Sequence, residues 1–184
     1  MPYISLKSDA PGIRGLVEYR PDTGKFLYDL VQILLRQDSP LSNAERELIA
    51  AYVSSLNACT FCTCSHAAAA RFLFQDAESM VDLVLQDYEK AAISDKLKSL
   101  LHIAGKVQAD ARTVDNLAIE RARQFGATDR EIHDTVLIAA TFCMFNRYVD
   151  GLNTLTPAHT DEQVWLIMGE RMGTQGYIPP PLSQ

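Results

Sequence analysis

The sequence predicts an all-α protein, a compact bundle of seven or eight helices. Three observations carry this. Apolar residues recur three and four positions apart in one segment after another, the spacing of a helix with one buried side. Capping boxes, in which a Ser or Thr and a Glu or Gln three residues later satisfy the first amides of a helix, stand at Ser42–Glu45, Thr128–Glu131 and Thr160–Gln163. No segment alternates apolar and polar residues as a half-buried strand does, and no internal repeat is apparent.

Taken in order, residues 1–22 carry Pro2, Pro11, Gly12, Gly15 and Pro21 and are expected to form an extended arm. Phe26, Leu27, Leu30, Val31, Leu34 and Leu35 give the segment Thr23 to Arg36 one apolar side, and Pro40 closes it. Ser42 opens a helix to about Asn57, with Leu48, Ile49, Tyr52, Val53 and Leu56 facing inward. A helix from Cys59 or Thr60 runs through the alanines 67–70 to about Phe74, and four alanines permit a neighbouring helix to come close. Asp76 is placed to cap a short helix through Leu85, and Ser94 opens one with Leu97, Leu100, Leu101, Ala104 and Val107 on its stripe. Thr113 begins the next, which Gly126 closes as a left-handed cap. Thr128 starts a long helix to about Leu152, and Thr160 starts a last one that Gly173 terminates. The tail, residues 174–184, holds Pro179, Pro180 and Pro181 and is not expected to be helical.

At 184 residues the chain suits one domain, 1–184, large enough to bury a core without metal or disulfide staples. A formal net charge of −6, with no local Lys/Arg cluster, disfavours nucleic acid and anionic membrane as partners. The N-terminus lacks a basic stretch followed by an apolar run, and no apolar segment reaches transmembrane length. The expected location is therefore cytoplasmic, where thiols are kept reduced. Three of the four cysteines fall within six positions, which in such a compartment suggests chemistry or metal binding rather than a structural disulfide.

That cluster is Cys59-Thr-Phe-Cys62-Thr-Cys64-Ser-His66. With Cys59 at a helix start and Cys62 in its first turn, the two α-carbons lie about 5 Å apart, close enough for a disulfide. Free amides at a helix N-terminus favour a thiolate, and His66, four residues after Cys62, shares its face as a base. A thiolate that attacks a peroxide becomes a sulfenic acid, which a second thiol three residues away condenses to a disulfide. Glu47 lies twelve residues before Cys59 across a helix break, so only a packed helix pair brings it to the sulfurs. In many Cys-x-x-Cys proteins the first sulfur is the nucleophile, whereas the histidine spacing here favours Cys62.

Glu47, Cys59, Cys62 and His66 stand in the Glu-x11-Cys-x2-Cys-x3-His spacing that resembles the alkylhydroperoxidase D-like proteins of the carboxymuconolactone decarboxylase superfamily. PGIRGLVEYRP, LSNAERELIAAYVSSLNACTFC and FNRYVDGLN extend the resemblance to the superfamily's peroxidase-related branch. The resemblance implies a helical, homo-oligomeric thiol peroxidase that reduces organic hydroperoxides or hydrogen peroxide in antioxidant defence. In that scheme Cys62 attacks, Cys59 resolves, His66 activates Cys62, Glu47 completes a proton relay, and an external dithiol restores the pair. No metal, flavin or haem is implied. The superfamily's decarboxylases lack the cysteine pair. One departure stands out: Phe61 occupies the position where the best-known members carry a histidine, so no relay runs through an imidazole there.

Other readings compete. The same pair serves a general thiol-disulfide oxidoreductase. Cys59, Cys62 and His66 are also potential zinc ligands, as in a non-catalytic zinc- or partner-binding protein, but Cys64 points to another face and a fourth ligand is wanting. Cys64 and Cys143 read as core residues. His102, His133 and His159 have no partner pattern, and Arg147 and Asp150 are spaced for a surface ion pair.

Overall fold

The computed structural model describes residues 1–75 and 78–178. Nine α-helices stand among them: α1 (Ile13–Tyr19), α2 (Pro21–Arg36), α3 (Asn43–Leu56), α4 (Thr60–Phe74), α5 (Glu78–Asp87), α6 (Asp95–Asp110), α7 (Asn116–Gln124), α8 (Asp129–Gly151) and α9 (Glu162–Gln175). No strand occurs among the described residues.

Helix α3 is the axis of the bundle. Ten of its fourteen residues are buried, so it is enclosed by neighbours rather than laid on a surface. It packs against α4, α6 and α8, and on α2 and α5 at its flanks. Ser42 and Glu45 form the capping box the sequence announces, and Thr128 and Glu131 form the one at α8. The main core gathers Leu35, Leu48, Ile49, Leu100, Leu101, Ile138 and Phe142 from four helices. A second, smaller cluster holds Leu16, Cys59, Phe61, Cys62, Ala68, Val149 and Trp165 around the start of α4.

Several expectations change. The first 22 residues are not wholly extended: Ile13–Tyr19 is helical, with Gly15, Leu16 and Val17 buried, and Pro21 opens α2 instead of belonging to an arm. Proline suits the first helical position because its missing N–H would be unpaired there anyway. These additions raise the helix count above seven or eight. Thr113 ends a 3-10 turn, and Asp115 caps α7 by accepting from the Ala118 amide. Asp161, not Thr160, caps α9, which runs past Gly173 to Gln175. Leu56 is exposed rather than inward. Gly126 does take a left-handed backbone, φ 88°, just after Phe125, the C-cap of α7. The capping assignment of Asp76 and the prolines Pro179, Pro180 and Pro181 lie outside the described residues.

The alanine run works as its composition suggests. Ala67, Ala68, Ala69 and Ala70 are all buried, and α9 lies against α4 with Gly169 facing Ala68. A β-carbon at Gly169 would fall 2.6 Å from the Ala68 carbonyl carbon and 2.7 Å from its oxygen, so the two backbones approach only because both partners are small. Gly151, by contrast, has nothing within 4 Å of such a β-carbon. Gly169→Ala is therefore expected to lower unfolding free energy in urea by about 1–3 kcal/mol, the usual cost of overpacking. Gly151→Ala should leave stability unchanged or slightly raised, and equal losses for the two would contradict the close approach.

Candidate active site

Two helices and a tail bring the expected residues together. Cys59 is the N-cap of α4, and Cys62 is the third residue of that helix. Ala58 turns the chain between α3 and α4 with φ 57°, and the Cys59 amide donates to the Ser54 carbonyl at 3.1 Å. This tight connection sets α4 against α3, so that Glu47 and His66 meet across the helix pair. His66 Nδ1 stands 2.6 Å from Glu47 Oε2. The packed pair that the spacing required is thus present.

Glu47 is fully buried and has two further partners. Arg36, at the end of α2, donates from Nη2 to Glu47 Oε1 at 2.5 Å and to the Met172 carbonyl at 2.9 Å. Tyr177, just after α9, donates its hydroxyl to the same Oε1 at 2.6 Å, and that hydroxyl lies 3.3 Å from His66 Nδ1. The Tyr177 ring sits beneath the Arg36 guanidinium at 5.1 Å, and its amide donates to Gln32 Oε1 at 2.7 Å. Burial acts to raise the Glu47 carboxyl, but the charge and hydrogen bond of His66, with Arg36 and Tyr177, outweigh it and hold the carboxyl below its ordinary value. The same burial, with the Glu47 charge, pushes the Tyr177 phenol well up, so it remains a donor.

An ionised Glu47 only accepts, so the His66 Nδ1 carries a proton toward it, and in the neutral ring Nε2 is the basic atom. The ring is held edge-on to Phe142, centroids 4.5 Å apart. His66 and Cys62 share the wall of a cavity of about 320 Å3, bounded chiefly by apolar side chains of α2, α8 and α9. Cys62 reaches this wall; Cys59 and Cys64 do not. Among the described residues no hydrogen bond joins His66 to either sulfur; the two side chains meet only as lining of the same cavity.

The expectation of a thiolate at the helix start is not met. The neighbouring Cys59 thiol, and then burial, push the Cys62 thiol well above its ordinary value, against a smaller opposite pull from Asn146. At 4% exposure there is little water to stabilise a charge, and the helix-end amides do not compensate. Asn146 is itself fixed, donating to Ser54 Oγ at 3.1 Å and accepting from Asn57 Nδ2 at 2.8 Å.

Phe61, at the position of the expected departure, packs its ring on Gly12, where φ is 58° and a β-carbon would lie 2.1 Å from a ring carbon. Its other face meets Trp165 edge-on at 6.1 Å. The side chain thus anchors the N-terminal segment to α4 and α9. Cys64 packs at the edge of the smaller cluster and Cys143 at the edge of the main core, both half-buried. Arg147 donates to the Cys143 carbonyl at 2.8 Å and forms no ion pair with Asp150 within 4 Å. His102 contacts the Tyr88 hydroxyl at 3.3 Å, and His133 pairs with Asp134 at 3.0 Å. Among the described residues no three His, Cys, Asp or Glu side chains converge as metal ligands.

Arg36, Tyr177 and Asn146 were not foreseen. Arg36 looks from sequence like an ordinary basic last turn, and Asn146 has no spacing relation to the cysteines. The Tyr177-Ile178 pair in a tail of glycine and proline is the one hint that the tail docks on something apolar.

The model of the Carboxymuconolactone decarboxylase family matches residues 21–87, a span that includes Glu47, Cys59, Cys62 and His66. No curated protein matches the chain's sequence. Among solved structures, an uncharacterized peroxidase-related protein with an alkylhydroperoxidase AhpD core, from Ralstonia eutropha JMP134, is 26% identical with a TM-score of 0.77, over 93% of this chain and 83% of that one. An uncharacterized peroxidase-related protein from Silicibacter sp. TM1040 is 26% identical with a TM-score of 0.75, over 80% and 77%. A protein of unknown function from Agrobacterium tumefaciens, 22% identical over 78% of this chain and 96% of that one, shares the fold with a TM-score of 0.68. The chain is thus similar to the Carboxymuconolactone decarboxylase family over residues 21–87, and it shares its all-helical fold with peroxidase-related and alkylhydroperoxidase AhpD-core structures.

Proposed function

We propose that the protein is a thiol-dependent peroxidase that reduces hydroperoxides through Cys62 and Cys59. One observation carries this reading: Cys62 shares a largely apolar cavity with a histidine whose Nδ1 is bound to a buried carboxylate. The peroxidase-related neighbours support the same class of activity.

The hydroperoxide enters the cavity and lies between Cys62 and His66. As the Cys62 sulfur attacks the terminal peroxide oxygen, its proton passes to His66 Nε2 through the bound molecule or a water. The S–O bond forms, the O–O bond breaks, and the departing alkoxide takes a proton from the imidazolium and leaves as an alcohol. Glu47 holds the ring in the correct tautomer and stabilises the transient positive charge. Cys59 then attacks the Cys62 sulfenic acid, forming the disulfide and releasing water. An external dithiol takes up the disulfide's oxidising equivalents by thiol exchange and restores both thiols.

A neutral Cys62 fits this sequence, because the base removes the proton only when a peroxide is present. The burial of Cys59 disfavours the general oxidoreductase, since a protein disulfide has no direct approach to it, whereas a small or slender dithiol fits the cavity. Exposed apolar residues such as Phe26, Ile33 and Leu137 are consistent with a homo-oligomer.

Three outcomes are expected. An organic hydroperoxide should convert two thiols per chain to a disulfide in seconds. Cys62→Ser should remove this reaction, and Cys59→Ser should stop at one sulfenic acid per chain, trapped by dimedone and located by mass spectrometry. Trapping at Cys59 in the Cys62→Ser protein would reverse the roles. Because the Cys62 thiol is held above its ordinary value, its alkylation by iodoacetamide should rise about tenfold per pH unit from pH 7 to 9. A plateau below pH 7 would show a preformed thiolate. Glu47→Gln strands the Arg36 charge and should cost roughly 3–5 kcal/mol in urea unfolding. In protein still folded at low temperature it should slow peroxide oxidation about a hundredfold or more.

A further inference from the structure

The cavity is not uniformly apolar. Its wall also holds Arg14, from α1, Arg171, from α9, and Tyr28, from α2. Arg171 is exposed and Arg14 half-buried, whereas Cys62 and His66 are buried, so the cavity runs from a basic mouth to a thiol floor. Among the described residues, neither guanidinium forms an ion pair or a hydrogen bond, and the Tyr28 hydroxyl has no partner. All three groups line the same cavity. Glu18 also faces Tyr28, but its carboxylate is engaged by the Ser8 hydroxyl.

This is an unusual expenditure for a site that handles only a small neutral peroxide. Two cations and a hydroxyl standing unpaired in the wall of an apolar cavity are complementary to an anion with an apolar body. A carboxylate matches the planar guanidinium fork, and the cavity's volume falls within the range of small-molecule sites, roughly 300–1,000 Å3.

We propose that the cavity selects amphipathic carboxylic acids, and hence hydroperoxides that carry a carboxylate, with Arg14, Arg171 and Tyr28 holding the head and the apolar wall holding the chain beside Cys62. This deepens the peroxidase reading and rests on it for the reaction, but the binding half stands on the cavity alone. The two halves therefore separate experimentally.

Octanoate and methyl octanoate, which differ in charge but hardly in shape, are titrated into the Cys62→Ser protein by calorimetry, with the fluorescence of Trp165 as a second signal. Octanoate should bind at least tenfold more tightly than its ester. Arg171→Gln, at an exposed position that does not threaten folding, should remove most of this preference, and Arg14→Gln combined with it should remove the rest. Equal binding of acid and ester, no measurable octanoate binding, or a preference that survives both substitutions would overturn the proposal. Oxidation of wild-type Cys62 by tert-butyl hydroperoxide is measured alongside. A charge preference without oxidation would leave acid binding standing and sink the peroxidase, whereas oxidation without a preference does the reverse.

Discussion

The buried carboxylate of Glu47 is the constraint on which the site depends. A charge with no access to water is tolerated only when its lone pairs are fully engaged, and here His66, Arg36 and Tyr177 engage them. Each comes from a different part of the chain: α4, the end of α2, and the segment after α9. The carboxylate therefore acts as a knot that ties the far C-terminal side of the bundle to its central helix. It also fixes which nitrogen of His66 is free, which no packing of apolar residues could do.

Such a knot is weak ground for stability in itself, because desolvating the groups costs nearly what their attraction returns. Its value lies in specificity. Leu48, Ile49 and Val53 drive α3 inward, and the small residues of α4 let α3 and α9 close on either side. Once these helices are packed, an unpaired Glu47 would be intolerable, so the packing and the pairing enforce one another. The outcome is an imidazole aligned toward a cavity before any ligand enters it.

How far the sequence disclosed this follows from the range of the interactions concerned. The capping boxes at Ser42 and Thr128 are contacts within four residues and were legible, as was the placement of Cys59 at a helix start. Thr160 misled because Asp161, the adjacent residue, offers a better acceptor, and spacing cannot choose between neighbours. Helix α1 escaped because Pro11, Gly12 and Gly15 carry loop chemistry, while burial of Leu16 and Val17 supplied what propensity lacked. The approach of Glu47 to His66 could be stated only as a condition. Arg36 and Tyr177 reach it across 11 and 130 residues, distances over which periodicity says nothing. The thiolate expectation failed for a related reason: a helix-end field is local and visible in sequence, whereas the burial that opposes it belongs to the finished fold.

That failure has a chemical consequence. A thiolate exposed at all times is attacked by any oxidant that reaches it, and its sulfenic acid is open to further oxidation. Under the proposed mechanism, a neutral thiol in an apolar cavity becomes nucleophilic only while a molecule bridges it to His66. Selectivity then resides less in the sulfur than in what the cavity admits and orients. The groups that line its mouth consequently matter to the chemistry as much as the residues at its floor. Phe61 contributes in the same sense: where an imidazole would add a second proton route, its ring instead closes the wall against Gly12 and Trp165. In the proposed reaction the path from Cys62 then has one base, His66, and one carboxylate behind it.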